Sequence, residues 1–157
     1  MKKLAPVLLA EEDLNFTLMM WRAFERAGAP HLLNAVPNGK EALDYLSGAG
    51  PYADRARFPM PGLLLLNSQL PLINASDVLA WLTPRIRFDD LTVIVLTSQD
   101  NPIGNVRASG EDGRASCIKP SNLSDLVNLV DAWSSLWPTN SAPAKTELSL
   151  PSIIGLP

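Results

Sequence analysis

The stretch that most constrains this chain is Leu63-Leu64-Leu65-Leu66-Asn67, entered from Pro61-Gly62 and left through Ser68-Gln69-Leu70-Pro71. Four consecutive leucines between prolines read as a short strand buried on both faces, because a half-wet strand would alternate apolar and polar residues. The run is too short to span a bilayer. It ends on a polar residue, Asn67, where the strand leaves the core. In open α/β sheets ligands and chemistry gather at the carboxyl edge of the strands, so Asn67 is the place to look for function.

Around this strand, apolar segments alternate with helical patterns. Leu4–Ala10 reads as a first strand, stopped by Glu11-Glu12-Asp13. Leu14, Leu18, Trp21 and Phe24 then recur at helical spacing up to Gly28. His31–Val36 is a second strand, Pro37-Asn38-Gly39 a turn, and Lys40–Leu46 a short helix with Leu43 and Leu46 inward. Ser47–Pro61 is a loop rich in Gly, Pro and Arg. After the leucine strand, Ala75–Pro84 reads as a helix with Val78, Leu79 and Leu82 inward, ended by Pro84. Leu91–Leu96 is a fourth strand, ending at Thr97-Ser98. Asn101–Gly113 is predicted to hold a short or frayed helix, since its glycines, Asn105 and Ser109 are poor helix formers. Ala115–Ile118 is a fifth strand, ending at Lys119-Pro120. A last helix follows, with Ser121 as N-cap, Asp125 in its first turn and a stripe of Leu123, Leu126, Val127, Val130, Trp133 and Trp137. Five strand–helix alternations predict a parallel sheet with helices on both faces. Glu11, Asn67, Thr97 and Lys119 then share one edge of it.

Length and charge narrow the class. The chain has 157 residues, 46% of them hydrophobic and 18% charged, which suits one globular domain. That domain reads as residues 4–137, and the Pro-rich, charge-poor stretch 138–157 reads as a C-terminal tail. Its apolar end, from Leu148 on, leaves two readings open: a disordered tail, or an arm packed on this or a second subunit. A net charge of -3 argues against non-specific nucleic-acid binding. A single cysteine, Cys117, excludes an internal disulfide or a multi-cysteine zinc site and suits a reducing cytoplasm. Met1-Lys2-Lys3 is followed by too short an apolar run for a signal peptide. No segment is long and apolar enough to be a membrane span. His31 reads as structural, Cys117 as a buried small hydrophobe, and the four tryptophans as core or interface residues.

In order along the chain stand Glu11-Glu12, Gly39-Lys-Glu-Ala-Leu-Asp-Tyr-Leu46, Gly50-Pro-Tyr-Ala-Asp-Arg55, Leu70-Pro71, Leu96-Thr97-Ser98 and Lys119-Pro120. On these motifs, from about Val7 to Trp137, the chain resembles the receiver domain of two-component response regulators. It is most similar to the single-domain regulators associated with bacterial and cyanobacterial phytochromes. The resemblance implies a three-layer, flavodoxin-like (βα)5 fold with a parallel five-stranded sheet in the order 2-1-3-4-5. It also implies a cytoplasmic signalling protein, not an enzyme, whose partner is a sensor histidine kinase or another signalling protein. In that family an aspartate ending the third strand takes a phosphoryl group from the kinase. The acidic pair, here Glu11 and Glu12, holds Mg²⁺ with that aspartate and a backbone carbonyl two residues on, here Gln69. The positions of Thr97 and Lys119 grip the phosphoryl oxygens. Phosphoryl transfer is mostly positioning and charge neutralisation, and Mg²⁺ favours carboxylates, so such a residue set suits the reaction.

This chain places Asn67 at the acceptor position. A neutral amide is a poor nucleophile and brings one less unit of negative charge to a metal, so the resemblance implies a pseudo-receiver with a weakened Mg²⁺ site. Asn74-Ala75 and Ser116 stand where the family has Asp-Gly and a switch aromatic. Replacing one of three clustered carboxylates also relieves repulsion of ~4 kcal/mol per pair at 4 Å and an effective dielectric of 20, and Lys119 has Glu11 or Glu12 to pair with. The leading expectation is a module that works by docking, including as a homodimer through the last helix and tail. One alternative keeps phosphotransfer, through deamidation of Asn67 beside Ser68 or through another acceptor such as Ser68. Another, a cofactor binder like the flavodoxins, needs a Gly/Ser/Thr-rich phosphate loop where this chain has three acids. Each acid also has a structural reading: the cluster suits a solvated turn, and Asp13 suits a helix N-cap.

Overall fold

The structure, a computed structural model, describes residues 5–29, 32–85, 90–97, 107–108 and 114–133. Its strands are Val7–Ala10 (β1), Leu33–Val36 (β2), Leu63–Asn67 (β3), Thr92–Thr97 (β4), Arg107–Ala108 (β5) and Arg114–Ile118 (β6). Its α-helices are Leu14–Arg26 (α1), Gly39–Ser47 (α2), Ala75–Leu82 (α3) and Leu123–Trp133 (α4). The sheet runs β2-β1-β3-β4-β6-β5. The five longer strands are all parallel to their neighbours, giving the expected 2-1-3-4-5 arrangement with β6 as the fifth parallel strand. The short β5 is an addition at the edge, antiparallel to β6.

The leucine run explains the layering. Side chains of a strand point alternately to its two faces. Leu63 and Leu65 join Val7, Leu9, Ile94 and Leu96 against α1 and α4. Leu64 and Leu66 join Leu8, Ala10 and Val93 against α2 and α3. All four leucines are fully buried, so β3 is the spine shared by two hydrophobic cores.

Three local expectations are corrected. The period of α1 is as predicted, but of the predicted stripe only Phe24 is buried, beside Phe16, Met20 and Ala23, whereas Leu14, Leu18 and Trp21 are 75%, 61% and 38% exposed. The helix has two apolar stripes, and the more aromatic one faces the sheet. Within the segment predicted as a helix, Arg107 and Ala108 are instead a strand, paired with Ser116 and Ala115. The rest of that segment lies outside the described residues, as do Ser98, His31, Trp137 and the tail 138–157. The cap of α4 is Asn122 rather than Ser121, its Oδ1 accepting from the Asp125 amide at 2.8 Å.

The loop after α2 has internal order that composition does not reveal. Gly48 takes the left-handed conformation that ends α2, with φ 72°. Arg55 then donates to the carbonyls of Tyr45 (2.7 Å) and Leu46 (2.9 Å), satisfying the last turn of the helix. Tyr45, Tyr52 and Phe58 pack ring against ring beside it.

Candidate functional site

The carboxyl edge of the sheet gathers the predicted residues. Glu11 follows β1 and stays in register through its amide, which donates to Val36 O at 2.9 Å. Asn67 closes β3 opposite Leu96. Lys119 follows β6, with its amide donating to Thr97 O at 2.9 Å. Together with Glu12, Asp13, Gln69 and the turn from Ser68 to Pro71, these residues line a cleft of about 720 Å³, rimmed by Asn74 and Ser76.

Inside the cleft the charges are already matched. Glu11 is 3% exposed. Its Oε1 lies 2.7 Å from Lys119 Nζ. Its Oε2 accepts from Asn67 Nδ2 at 2.9 Å and from the Asp13 amide at 2.9 Å. The other end of Asn67 is occupied too, Oδ1 accepting from the Gln69 amide at 3.1 Å. Lys119 reaches across the ends of β4 and β3 to make its pair, with its ammonium 4.5 Å from the centre of the Phe16 ring. A buried carboxylate left alone would be strongly penalised; here one cation and two N–H donors satisfy it.

The remaining residues divide. Glu12 is exposed at the cleft mouth. Asp13 is the N-cap of α1, with its side chain accepting from the amides of Asn15 (2.8 Å) and Phe16 (3.4 Å). Thr97 is buried, and its hydroxyl donates to Cys117 O at 3.3 Å; it stands beside Lys119 through the backbone but does not line the cleft. Gln69 is exposed and lines the cleft. Three local features of the site were not read from the sequence. Phe16 supports Lys119, and the phase of α1 was needed to see it. Asn74 caps α3 from the rim, accepting from Asp77 N at 3.0 Å and Ser76 Oγ at 2.6 Å, a role signalled by Asn-Ala-Ser-Asp. Leu72 takes a left-handed φ of 70°, an unusual conformation for a branched side chain, in the turn beside Pro71.

The donor set does not fit a divalent cation as folded. Both oxygens of Glu11 and both ends of the Asn67 amide are engaged with protein groups. Among the described residues, no group of three or more His, Cys, Asp or Glu side chains could hold a metal ion.

No protein-family model matches the chain. The chain is 29% identical over 134 residues to the probable methanogenesis regulatory protein FilR2 of Methanothrix harundinacea, covering 83% of this chain and 82% of that one. It is 25% identical over 131 residues to the response regulator Rcp1 of Synechocystis, covering 83% and 87%. The Mn²⁺-bound form of Rcp1 superposes with a TM-score of 0.65 at 26% identity, over 83% of this chain and 92% of that chain. The response regulator RPA3017, in red light signaling of R. palustris, superposes with a TM-score of 0.70 at 25% identity, over 91% and 100%. Among the described residues, no helix is long and apolar enough to cross a membrane.

Proposed function

We propose that this chain, a response-regulator receiver domain of two-component signalling related to the phytochrome-associated regulators, is a pseudo-receiver that signals by docking rather than by accepting phosphate. The observation that carries this reading is the closed network Lys119–Glu11–Asn67. At the acceptor position stands an amide whose nitrogen donates to Glu11 and whose oxygen accepts from Gln69. The cation that would neutralise an incoming phosphoryl group is 2.7 Å from a buried carboxylate instead. The same pair removes Glu11 from any metal site, so Mg²⁺ binds weakly or not at all, although the related Rcp1 has a Mn²⁺-bound form. The domain carries out no chemistry of its own. Its output runs through contact with another protein, a sensor histidine kinase or a further signalling protein, or with a second copy through the last helix and tail.

The alternative of an aspartate regenerated by deamidation finds little support in the geometry. Deamidation proceeds by attack of the following amide nitrogen on the Asn side chain, and the Ser68 amide is held by Leu96 O at 2.8 Å. The test is incubation with Mg²⁺ and acetyl phosphate, read by intact mass, for the wild type beside Asn67→Asp. The wild type is expected to gain no phosphoryl adduct, and Asn67→Asp to gain one once Mg²⁺ is present. An adduct mapped to Asn67 or Ser68 of freshly prepared wild type would overturn the reading.

A further inference from the structure

The cleft uses the buried side of α1 through Phe16; the opposite side is unexplained by it. Leu14, Leu18 and Trp21 stand at i, i+4 and i+7, on one face of the helix, and all three are exposed. A single exposed leucine is ordinary, but three large apolar side chains in line on one helix mark a surface that is covered in use. The described part of the last helix offers no such face: its exposed residues are Ser124, Asp125, Asn128, Asp131 and Ala132.

The charges at the two ends of the stripe say what fits it. Glu12 and Asp13, both exposed, stand at its start; Arg22 and Arg26, both exposed, stand at its end beside a single acid, Glu25. Among the described residues neither arginine has an ion pair. A face that is acidic at one end and basic at the other is complementary to itself when reversed. Laid antiparallel about a two-fold axis near Leu18, two α1 helices set Leu14 of each against Trp21 of the other. Arg22 follows Trp21 by one residue and Asp13 precedes Leu14 by one, so the same register sets Arg22 against Asp13 at both ends. A parallel pairing sets like charges together. The antiparallel contact is isologous and closed, using the one patch on both chains.

We propose that the Leu14–Leu18–Trp21 face of α1 docks on the same face of a second copy, antiparallel, with Arg22 of each chain at the acidic end of the other. Glu12 and Asp13 also line the cleft, so this pairing carries a cation of the second copy to the cleft mouth. Burial of Trp21 supplies most of the affinity, since interface energy concentrates at such residues. The exposed charges fix orientation more than strength. One helix face per chain is a small contact, of the weak and transient class. The inference does not depend on whether Asn67 accepts phosphate, and it is separate from any contact through the tail.

The experiment is sedimentation equilibrium of the full chain over a hundredfold range of concentration, up to submillimolar. The expected result is a shift from monomer to dimer across the range. Leu18→Glu with Trp21→Glu should weaken the dimer at least tenfold and leave the far-ultraviolet circular dichroism unchanged, because both side chains are exposed. Arg22→Glu with Arg26→Glu should weaken it several-fold. Mixing that chain with a Glu12→Lys chain should restore association, since unlike charges then meet at both ends of the mixed dimer. A chain that stays monomeric throughout overturns the proposal. So does a dimer that survives the two glutamates in the stripe, which would place the contact elsewhere, as on the last helix and tail. A mixture no more associated than its separate components overturns it too, because the antiparallel pairing requires the rescue.

Discussion

Asn67 makes two hydrogen bonds that an aspartate cannot both keep. Asn67→Asp turns the Nδ2 donor into an oxygen facing Glu11 Oε2, which it now approaches to 2.9 Å. Two carboxylates about 4 Å apart repel by ~4 kcal/mol at an effective dielectric of 20. Asn67 is only half-buried, so water screens part of this, and Lys119 offsets more. The variant is expected to lose about 2 kcal/mol of metal-free stability in urea unfolding, and to regain it on titration with Mg²⁺, because an ion that binds only the native state stabilises it. The wild type should show no Mg²⁺ dependence; equal stability of the two metal-free proteins would contradict the matched-charge account. Much of this site was legible beforehand, because strand ends are legible: Glu11, Asn67, Thr97 and Lys119 each follow an apolar run. The direction in which their side chains turn was not. The Thr97 hydroxyl faces Cys117 O rather than the cleft, and such a rotamer follows from neighbours that no spacing rule identifies.

At the level of elements, period was easier to read than phase. The recurrence of Leu14, Leu18, Trp21 and Phe24 marked α1 correctly as a helix, but only Phe24 of these is buried, because a second stripe through Phe16 and Met20 fits the same period. Where one helix carries two apolar stripes, only the partner surface decides between them. The start of α2 shows the opposite case, a residue whose role is set by a close approach. Gly39 donates to Pro71 O at 3.3 Å, and a Cβ there would overlap the Ile73 carbonyl oxygen. Alanine is normally the better helix former by ~1 kcal/mol, so propensity and packing predict opposite signs for Gly39→Ala. Packing should prevail, because the obstacle is backbone and cannot swing aside as a side chain would. The expected loss is about 1–3 kcal/mol, typical of overpacking, measured by thermal or urea unfolding. A gain would mean that the turn carrying Leu72 yields easily.

Taken whole, the molecule is two cores divided by one sheet, and this division was legible in four consecutive leucines. The aromatic cluster that seals one core was not, since nothing in Gly50–Arg55 announces that its arginine caps α2 and its tyrosine packs on Tyr45. That cluster gives the protein a dependence on alkaline pH. The Tyr45 hydroxyl accepts from Asn34 Nδ2 at 3.2 Å and donates to Pro59 O at 3.0 Å. Burial pushes its ionisation up to about 12, while an exposed tyrosine ionises near 10. Burial also raises Tyr52, helped by its 2.6 Å hydrogen bond to the Glu41 carboxylate, and burial raises Cys117 to about 11. In each case folding favours the protonated form. The stability contributed is therefore complete below the unfolded value and is lost as pH rises through the folded one, because the unfolded chain sheds its proton first. The folded protein should weaken from about pH 9, as the thiol of the unfolded chain ionises, and more steeply between about pH 10 and 12, with Tyr45 alone accounting for about 2 kcal/mol at 1.36 kcal/mol per unit of pKa. Tyr45→Phe separates this from general alkaline damage. It should be less stable near neutrality by about 1 kcal/mol, from the hydrogen bond lost to Pro59 O, yet decline less between pH 10 and 12. Urea unfolding at stepped pH measures both, and parallel curves for the two proteins would show that the buried phenol does not govern the decline.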